Sequence, residues 1–359
     1  MYQINEISVD ISRISNSSGL LFSLLVSLNK RIGVPIVAFC AITSIIGGIF
    51  DFFITNSPTK SEETLSFFNH VWLRIYSIYL GTTLLLFLIQ RSNYKRFIYN
   101  IASLVPTECP STKYYVTWQH GAAKLFITVC LIFELGTSIY SSALSTKETM
   151  KNKSMLINVL SYYFNLTAAC SWIMVLQFII ESCIHLKSSL VFINQTVSAI
   201  QSNNLTIEKV RSIRSTYSSI IQVTRQLDSF LVYSLFGFYL SVLFNCHLHF
   251  TNLFIDNKLS TMNLFCFIGT ICYLSSVTYH IVSINHLAIN FFEQVYSLSL
   301  LLFSTEINAE INLFLQRIGH FDVGLTFAKL CIITPSFVAS FATVLLSIAL
   351  AAPSFRLGQ

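Results

Sequence analysis

Charged side chains are scarce in this chain. Asp, Glu, Lys and Arg make up 11% of its 359 residues, whereas 53% are hydrophobic and 14% are aromatic. A soluble globular domain carries about 25% charged residues. This shortage of charge excludes an ordinary soluble domain, and the composition predicts a protein embedded in a membrane.

Paired cysteines and catalytic motifs are also missing. None of the nine cysteines forms a Cys-x-x-Cys pair, and nearly all fall inside apolar stretches. We therefore expect small buried hydrophobic residues rather than a disulfide framework or a metal site. The sequence has no GxSxG, no HExxH and no glycine-rich phosphate loop. These absences predict a protein that is not an enzyme and that needs no cofactor.

Long apolar runs recur along the chain. A bilayer core takes about 20 apolar residues per helix. Seven stretches qualify, at residues 34–54, 71–90, 122–145, 155–181, 229–254, 261–287 and 324–352. A transmembrane barrel would instead show alternating segments of ~10 residues. The sequence therefore predicts an all-α fold, a seven-transmembrane helical bundle.

Basic residues are distributed unevenly between the two sides of this predicted bundle. Thirteen Lys and Arg residues lie on the side of the N-terminus, including those of the second and fourth connections, and six lie on the other side. Positive charge in short loops marks the cytoplasmic side. We expect the N-terminus inside and the C-terminus outside, the reverse of a G-protein-coupled receptor. The net charge of +6 reflects this bias, so we expect no nucleic-acid partner.

Two connections have the spacing of amphipathic helices. Apolar positions recur every three or four residues at Leu186, Leu190, Ile193, Val197, Ile200, Val210, Ile213, Tyr217, Ile220, Thr224 and Leu227. A second set comprises Phe303, Ile307, Ile311, Phe314 and Ile318, with Glu306 and Glu310 expected on the opposite face. Such seams need partner helices. We expect a cytoplasmic stalk built from extended fourth, fifth and sixth spans plus the helix before the seventh. Helices lying parallel to the membrane are the alternative.

This reading divides the chain into six parts. They are a cytoplasmic N-terminus (1–33), transmembrane helices 1–4 (34–182), a cytoplasmic helical extension (183–228), transmembrane helices 5–6 (229–290), a cytoplasmic pre-pore helix (291–320), and transmembrane helix 7 with a short outer tail (321–359).

The end of the chain resembles a known family. In FLQRIGHFDVGLTFAKLCIITPSFVASFATVLLSIAL, Phe321 and Gly324 match a phenylalanine and a glycine that insect gustatory receptors carry before their last helix. The family then has Thr-Tyr, six residues and Gln-Phe. Here Ser340-Phe341 stands for the first pair and Ile348-Ala349 for the second, so the glutamine is lost. The seven spans and the inside N-terminus also resemble this family.

The resemblance implies a chemoreceptor of the plasma membrane. Members are similar in being ligand-gated, non-selective cation channels in which four subunits assemble and each last helix lines the pore. Partners would then be a small-molecule ligand, permeant cations, membrane lipid, and further copies or related receptors in a homo- or hetero-tetramer.

The last helix offers two faces for a pore. The alignment favours the face with Phe341, Leu345, Ile348 and Ala349, where an apolar ring at Leu345 and Ile348 can gate by dewetting. Roughly opposite lies a hydroxyl stripe with Ser336, Ser340, Thr343 and Ser347. We expect the apolar face to form the gate and the stripe to pack against neighbouring helices.

Polar and aromatic residues within three spans predict a ligand pocket. The residues are Glu134, Ser138, Tyr163, Asn165, Trp172, Asn245 and His249. Aromatic walls with a few placed polar groups suit a small ligand, and Glu134 needs a partner, for which Arg74, Lys124 or a histidine are candidates. Each residue could instead make an interhelical hydrogen bond or belong to the interfacial aromatic belt.

Two other functions are alternatives to the channel. A divergent relative with no sensory role, and with no conduction, would fit the lost glutamine. A multi-span transporter would be expected to show internal repeats and broken helices at matched positions. The sequence shows neither of these features.

Overall fold

A computed structural model describes most of the chain. It describes residues 31, 33–54, 63–104, 110–149, 155–200, 205–255, 261–301, 303–319 and 323–351. Within this part of the chain the helices are α1 (Gly33–Ile54), α2 (Glu63–Ile89), α3 (Arg91–Leu104), α4 (Pro110–Thr149), α5 (Met155–Ser198), α6 (Ile207–Ile255), α7 (Thr261–Ser299), α8 (Thr305–Ile318) and α9 (Pro335–Ala351). A two-stranded antiparallel hairpin, β1 (Thr326–Phe327) and β2 (Cys331–Ile332), precedes α9.

Five helices of this mainly helical fold are long and apolar enough to cross a membrane, namely α1, α4, α5, α6 and α7. The apolar parts of α2 and α9, Arg74–Ile89 and Pro335–Ser347, are shorter. These helices are those of a multi-pass membrane protein. The N-terminal residues 1–30 and Phe321 lie outside the described residues.

Four helices are far longer than a bilayer is thick. The 40, 44, 49 and 39 residues of α4, α5, α6 and α7 give lengths of about 60, 66, 74 and 58 Å at 1.5 Å per residue, against a hydrocarbon core of about 30 Å. Each helix therefore runs on beyond any membrane that it crosses. The apolar seam residues of α5 and α6 are buried along these extensions.

Three helices meet around Tyr217 of α6. Its ring stacks on Phe291 of α7 at 4.6 Å and meets Phe314 of α8 edge-on at 5.9 Å. The packing of α8 corrects the expected position of Glu310. Its side chain is buried, and one carboxylate oxygen lies 2.8 Å from Arg214 and 3.7 Å from Arg211. Glu310 follows Ile307 by three residues, which places both near one face of the helix.

Helix α3 was not anticipated in the basic second connection. Its buried residues Tyr94, Phe97, Ile98 and Ile101 have the spacing of one helix face. The ring of Tyr94 lies 5.3 Å from Phe178 of α5, and Phe178 stacks on Phe87 of α2 at 3.6 Å. The apolar face was not evident from the sequence because basic residues are interspersed with it at the start of α3.

The predicted seventh stretch, residues 324–352, is wrong in its first part. Residues 326–332 form the β-hairpin, and α9 begins at Pro335. Ala328 and Lys329 have φ values of 52° and 60°, the left-handed conformation of a tight hairpin turn, and the N–H of Leu330 donates to the carbonyl of Phe327. The run is apolar enough for a helix, but this turn folds it back on itself.

Candidate functional site

The half-buried carboxyl of Glu134 in α4 has a partner on α7. The hydroxyl of Tyr273 donates to Oε1 of Glu134 at 2.9 Å. A carboxyl group in an apolar bundle is costly unless a donor satisfies it, and this phenol is such a donor. Tyr273 differs from the partners expected from the sequence, Arg74, Lys124 and the histidines, which are basic side chains.

Trp172 of α5 lies at the centre of the same region and is 4% exposed. Its ring meets Tyr273 edge-on at 5.9 Å, lies 5.5 Å from Tyr76 of α2, and stacks on Phe238 of α6 at 5.7 Å. Three helices, α2, α6 and α7, therefore contribute aromatic rings around the indole of α5. We call Glu134, Trp172, Tyr273 and Tyr76 the Trp172 cluster.

Asn245 of α6 is connected to this cluster through Trp72. The indole N–H of Trp72 donates to Oδ1 of Asn245 at 3.2 Å, and the Trp72 ring stacks on Phe244 at 4.1 Å. Trp72 also lies 6.4 Å from Tyr76. Tyr79 lies one turn beyond Tyr76 in α2. A Cβ at Gly237 of α6 would collide with the Tyr79 ring, so α2 and α6 approach closely at this level.

Other predicted pocket residues are not brought into the cluster. Tyr163 is 36% exposed and packs against Phe39 at 6.4 Å. It precedes Trp172 by nine residues, about half a turn out of phase, so the two side chains lie on opposite sides of α5. Asn165 is exposed and lies about 10 Å along the axis from Trp172.

The remaining two predicted pocket residues are His249 and Ser138. His249 is half-buried, one turn beyond Asn245, and its Nδ1 has no hydrogen-bond partner among the described residues. The side chain of Ser138 lies outside the described residues.

Two polar residues, Lys187 of α5 and His280 of α7, are buried in the bundle. Nζ of Lys187 lies 2.9 Å from Nδ1 of His280, and 5.2 Å above the ring of Tyr279. Both are buried because α5 and α7 pack along each other at this level.

The last helix turns its apolar face towards its own chain. The ring of Phe341 meets Tyr239 of α6 edge-on at 5.2 Å, and Leu345 is half-buried and lines a cavity between α6, α7 and α9. Phe341 therefore contacts α6 and Leu345 lines this cavity, and their expected role in a pore wall stays a prediction. The side chains of Ile348 and Ala349 lie outside the described residues.

The opposite face of α9 carries the hydroxyl groups. Ser336, Ser340, Thr343 and Ser347 are all exposed. The hydroxyls of Thr343 and Ser347 donate to backbone carbonyls four residues earlier, at 2.9 and 2.8 Å. The stripe is therefore exposed on the described part of this chain, and its expected packing against neighbouring helices stays a prediction.

Metal binding finds no support in the described part of the chain, where no three His, Cys, Asp or Glu side chains are grouped to hold an ion. The eight cysteines in these ranges are free thiols.

The fold is similar to that of insect olfactory receptor OR5 from Machilis hrabei. The structure of that receptor in complex with eugenol has a TM-score of 0.60 and 14% identity, covering 99% of this chain and 98% of that chain. A second structure of OR5 has a TM-score of 0.57 and 16% identity, covering 98% and 97%. No family model matches, and no curated protein matches. The chain has the fold of an insect olfactory receptor over almost its whole length.

Proposed function

We propose that this protein is a chemoreceptor of the gustatory type, a ligand-gated cation channel that detects a small molecule. The observation that carries the proposal is the last helix, which turns phenylalanine and leucine inwards and hydroxyl groups outwards. In a soluble environment such a face needs no explanation. In a membrane, a stripe of hydroxyls on the outside of a bundle is suited to a water-filled conduit between subunits.

Several copies would then surround one axis, with Ser340, Thr343 and Ser347 of each α9 facing it. The resemblance to gustatory receptors supports an assembly of four. Hydroxyl groups can solvate cations without binding them tightly, which suits a non-selective pore. The pore wall in this proposal is the hydroxyl stripe, and it replaces the apolar face expected from the sequence.

The Trp172 cluster is the proposed ligand site. It offers aromatic faces from three helices and a carboxyl–phenol pair, so it suits a small molecule with an apolar body and one hydrogen-bonding group. Gating would follow if the ligand displaces Tyr273 from Glu134 and thereby shifts α7 against α4. The solved complex of the OR5 receptor with eugenol supports a small-molecule ligand in this fold.

Particle images of the purified full-length protein, together with current recordings, test the proposal. We expect a ring of four copies with α9 at its centre, and a cation current that a tastant from a chemical panel increases. A monomer, or a ring with α9 on its outer surface, would contradict the pore. A correct ring with no current for any compound would favour the non-conducting relative.

A further inference from the structure

The cavity lined by Leu345 is separate from the Trp172 cluster. It lies between α6, α7 and α9, has a volume of about 670 Å³, and is lined mostly by apolar side chains. That volume is within the range of small-molecule pockets, about 300–1,000 Å³. None of the described residues that line it belongs to the Trp172 cluster.

One lining residue has an unused hydrogen-bonding atom. Nδ1 of His247 is buried, and no hydrogen-bond partner for it lies among the described residues. A buried polar atom of this kind is costly unless a ligand or water satisfies it. Three residues with hydroxyl groups, Ser275, Thr278 and Tyr279, line the α7 side of the same cavity.

The charge of the lining restricts the ligand. Among the described lining residues there is no Asp, Glu, Lys or Arg. A charged ligand would lose its hydration there without gaining a counter-charge, so an ion is excluded on energetic grounds. An uncharged molecule loses little on entering and can hydrogen-bond to the imidazole.

We propose that this cavity binds a small, uncharged, mainly apolar molecule that carries a hydroxyl group, with His247 as the hydrogen-bonding anchor. The ligand would lie directly against α9, where Ala342 and Leu345 line the cavity. Thr278, also in the lining, is hydrogen-bonded to Tyr239 at 3.1 Å, and Tyr239 packs on Phe341. Occupancy would therefore bias the position of the last helix, an effect on current that rests on the proposed function.

Photolabelling of the purified full-length protein tests binding without any current. The probe is a medium-chain alcohol carrying a diazirine, compared with the same alkyl diazirine lacking the hydroxyl. We expect the alcohol to label peptides from residues 243–250, 271–282 and 338–346, and excess unlabelled alcohol to compete. Labelling by the hydroxyl-free probe should be weaker by about threefold to tenfold, the factor contributed by one neutral hydrogen bond.

Matched variants locate the site. Ala342→Phe fills the cavity and should abolish labelling of these peptides, whereas Ala339→Phe makes the same change on an exposed position of α9 outside the lining and should preserve it. His247→Phe should remove the preference for the alcohol, and His247→Gln, which keeps a hydrogen-bonding group, should retain most of it. Circular dichroism and size-exclusion profiles identify any variant that fails to fold.

Three outcomes would overturn the proposal. Equal labelling by both probes would indicate a groove for lipid acyl chains, with no role for His247. No labelling in any of the three peptides would indicate that another copy of the chain covers the cavity. Equal effects of Ala342→Phe and Ala339→Phe would exclude the cavity as the labelled site. Labelling as expected in a protein without current would uphold the site and contradict the channel.

Discussion

Asp228 of α6 holds Thr326 of the hairpin that precedes the last helix. One carboxylate oxygen accepts the backbone N–H of Thr326 at 2.6 Å, and the Thr326 hydroxyl lies 2.9 and 3.0 Å from the two oxygens. Just before the hairpin, the amide of Asn285 in α7 donates to the carbonyl of Val323 at 3.0 Å. Two long helices thus fix the segment from which α9 begins.

Replacing Asp228 with alanine should destabilise the protein. Removal of the carboxylate leaves the N–H of Thr326 without its acceptor, which costs about 1–3 kcal/mol for a buried donor. Thermal unfolding of the purified chain should show a lower midpoint. Thr326→Ser, which keeps both donors, is the control and should stay close to the unmodified protein. If both variants lowered the unfolding midpoint equally, packing of the threonine methyl group would explain the effect instead.

Glu310→Gln should weaken the packing of α8 against α6. The buried carboxylate of Glu310 pairs with Arg214, which is itself a third exposed, so we expect a loss of about 1–2 kcal/mol, between an exposed and a fully buried pair. Chemical unfolding of the full chain measures this loss. Glu306→Gln is the matched control, because Glu306 is an exposed acid of the same helix. A similar loss in both variants would show that helix charge, and not the ion pair, is responsible.

Tyr273→Phe should change the response to an agonist. The variant keeps the ring against Trp172 but leaves the Glu134 carboxyl without its phenol donor. We expect the half-maximal agonist concentration to shift by about threefold to tenfold. Tyr163→Phe, which removes a hydroxyl far from the cluster, should leave the response unchanged. An unchanged response in Tyr273→Phe and in Trp172→Ala would place the ligand elsewhere.

Charged thiol reagents should distinguish the two faces of α9. Ser347→Cys is expected to become sensitive to block by a positively charged reagent, because the hydroxyl stripe faces water in the proposed pore. Leu345→Cys should stay insensitive, since its side chain lines the apolar cavity between α6, α7 and α9, which excludes a charged reagent. The unmodified protein provides the baseline, as Cys272 and Cys331 are already exposed. Block at Leu345→Cys alone would instead support the apolar gate that the sequence predicts.

The orientation of the chain remains a prediction from its basic residues. Thirteen against six Lys and Arg residues put the N-terminus inside and the C-terminus outside. An epitope tag at each end, stained in intact and in permeabilised cells, measures this directly. We expect the C-terminal tag to be stained in both and the N-terminal tag only after permeabilisation. A C-terminal tag hidden in intact cells would reverse the assignment.

The sequence by itself determined the helical, membrane-embedded character of the protein. Scarce charge and long apolar runs indicate membrane-spanning helices, because helices satisfy their own backbone hydrogen bonds in lipid. Spacings of three and four residues also identified the apolar faces of α5 and α6 that are buried beyond the expected membrane spans. Glu134 and Trp172 were predicted as pocket residues for a similar local reason, since each is a polar or aromatic residue within an apolar helix.

Tertiary structure decided which faces meet. The sequence periodicity of α9 shows two opposite faces, but the packing of Phe341 on Tyr239 is what turns one inward. Likewise, the partner of Glu134 lies 139 residues away on α7, and the contact depends on how both helices are rotated. The hairpin before α9 depends on Asp228, which is 98 residues distant. Such choices depend on distances between helices, and local spacing carries no information about those distances.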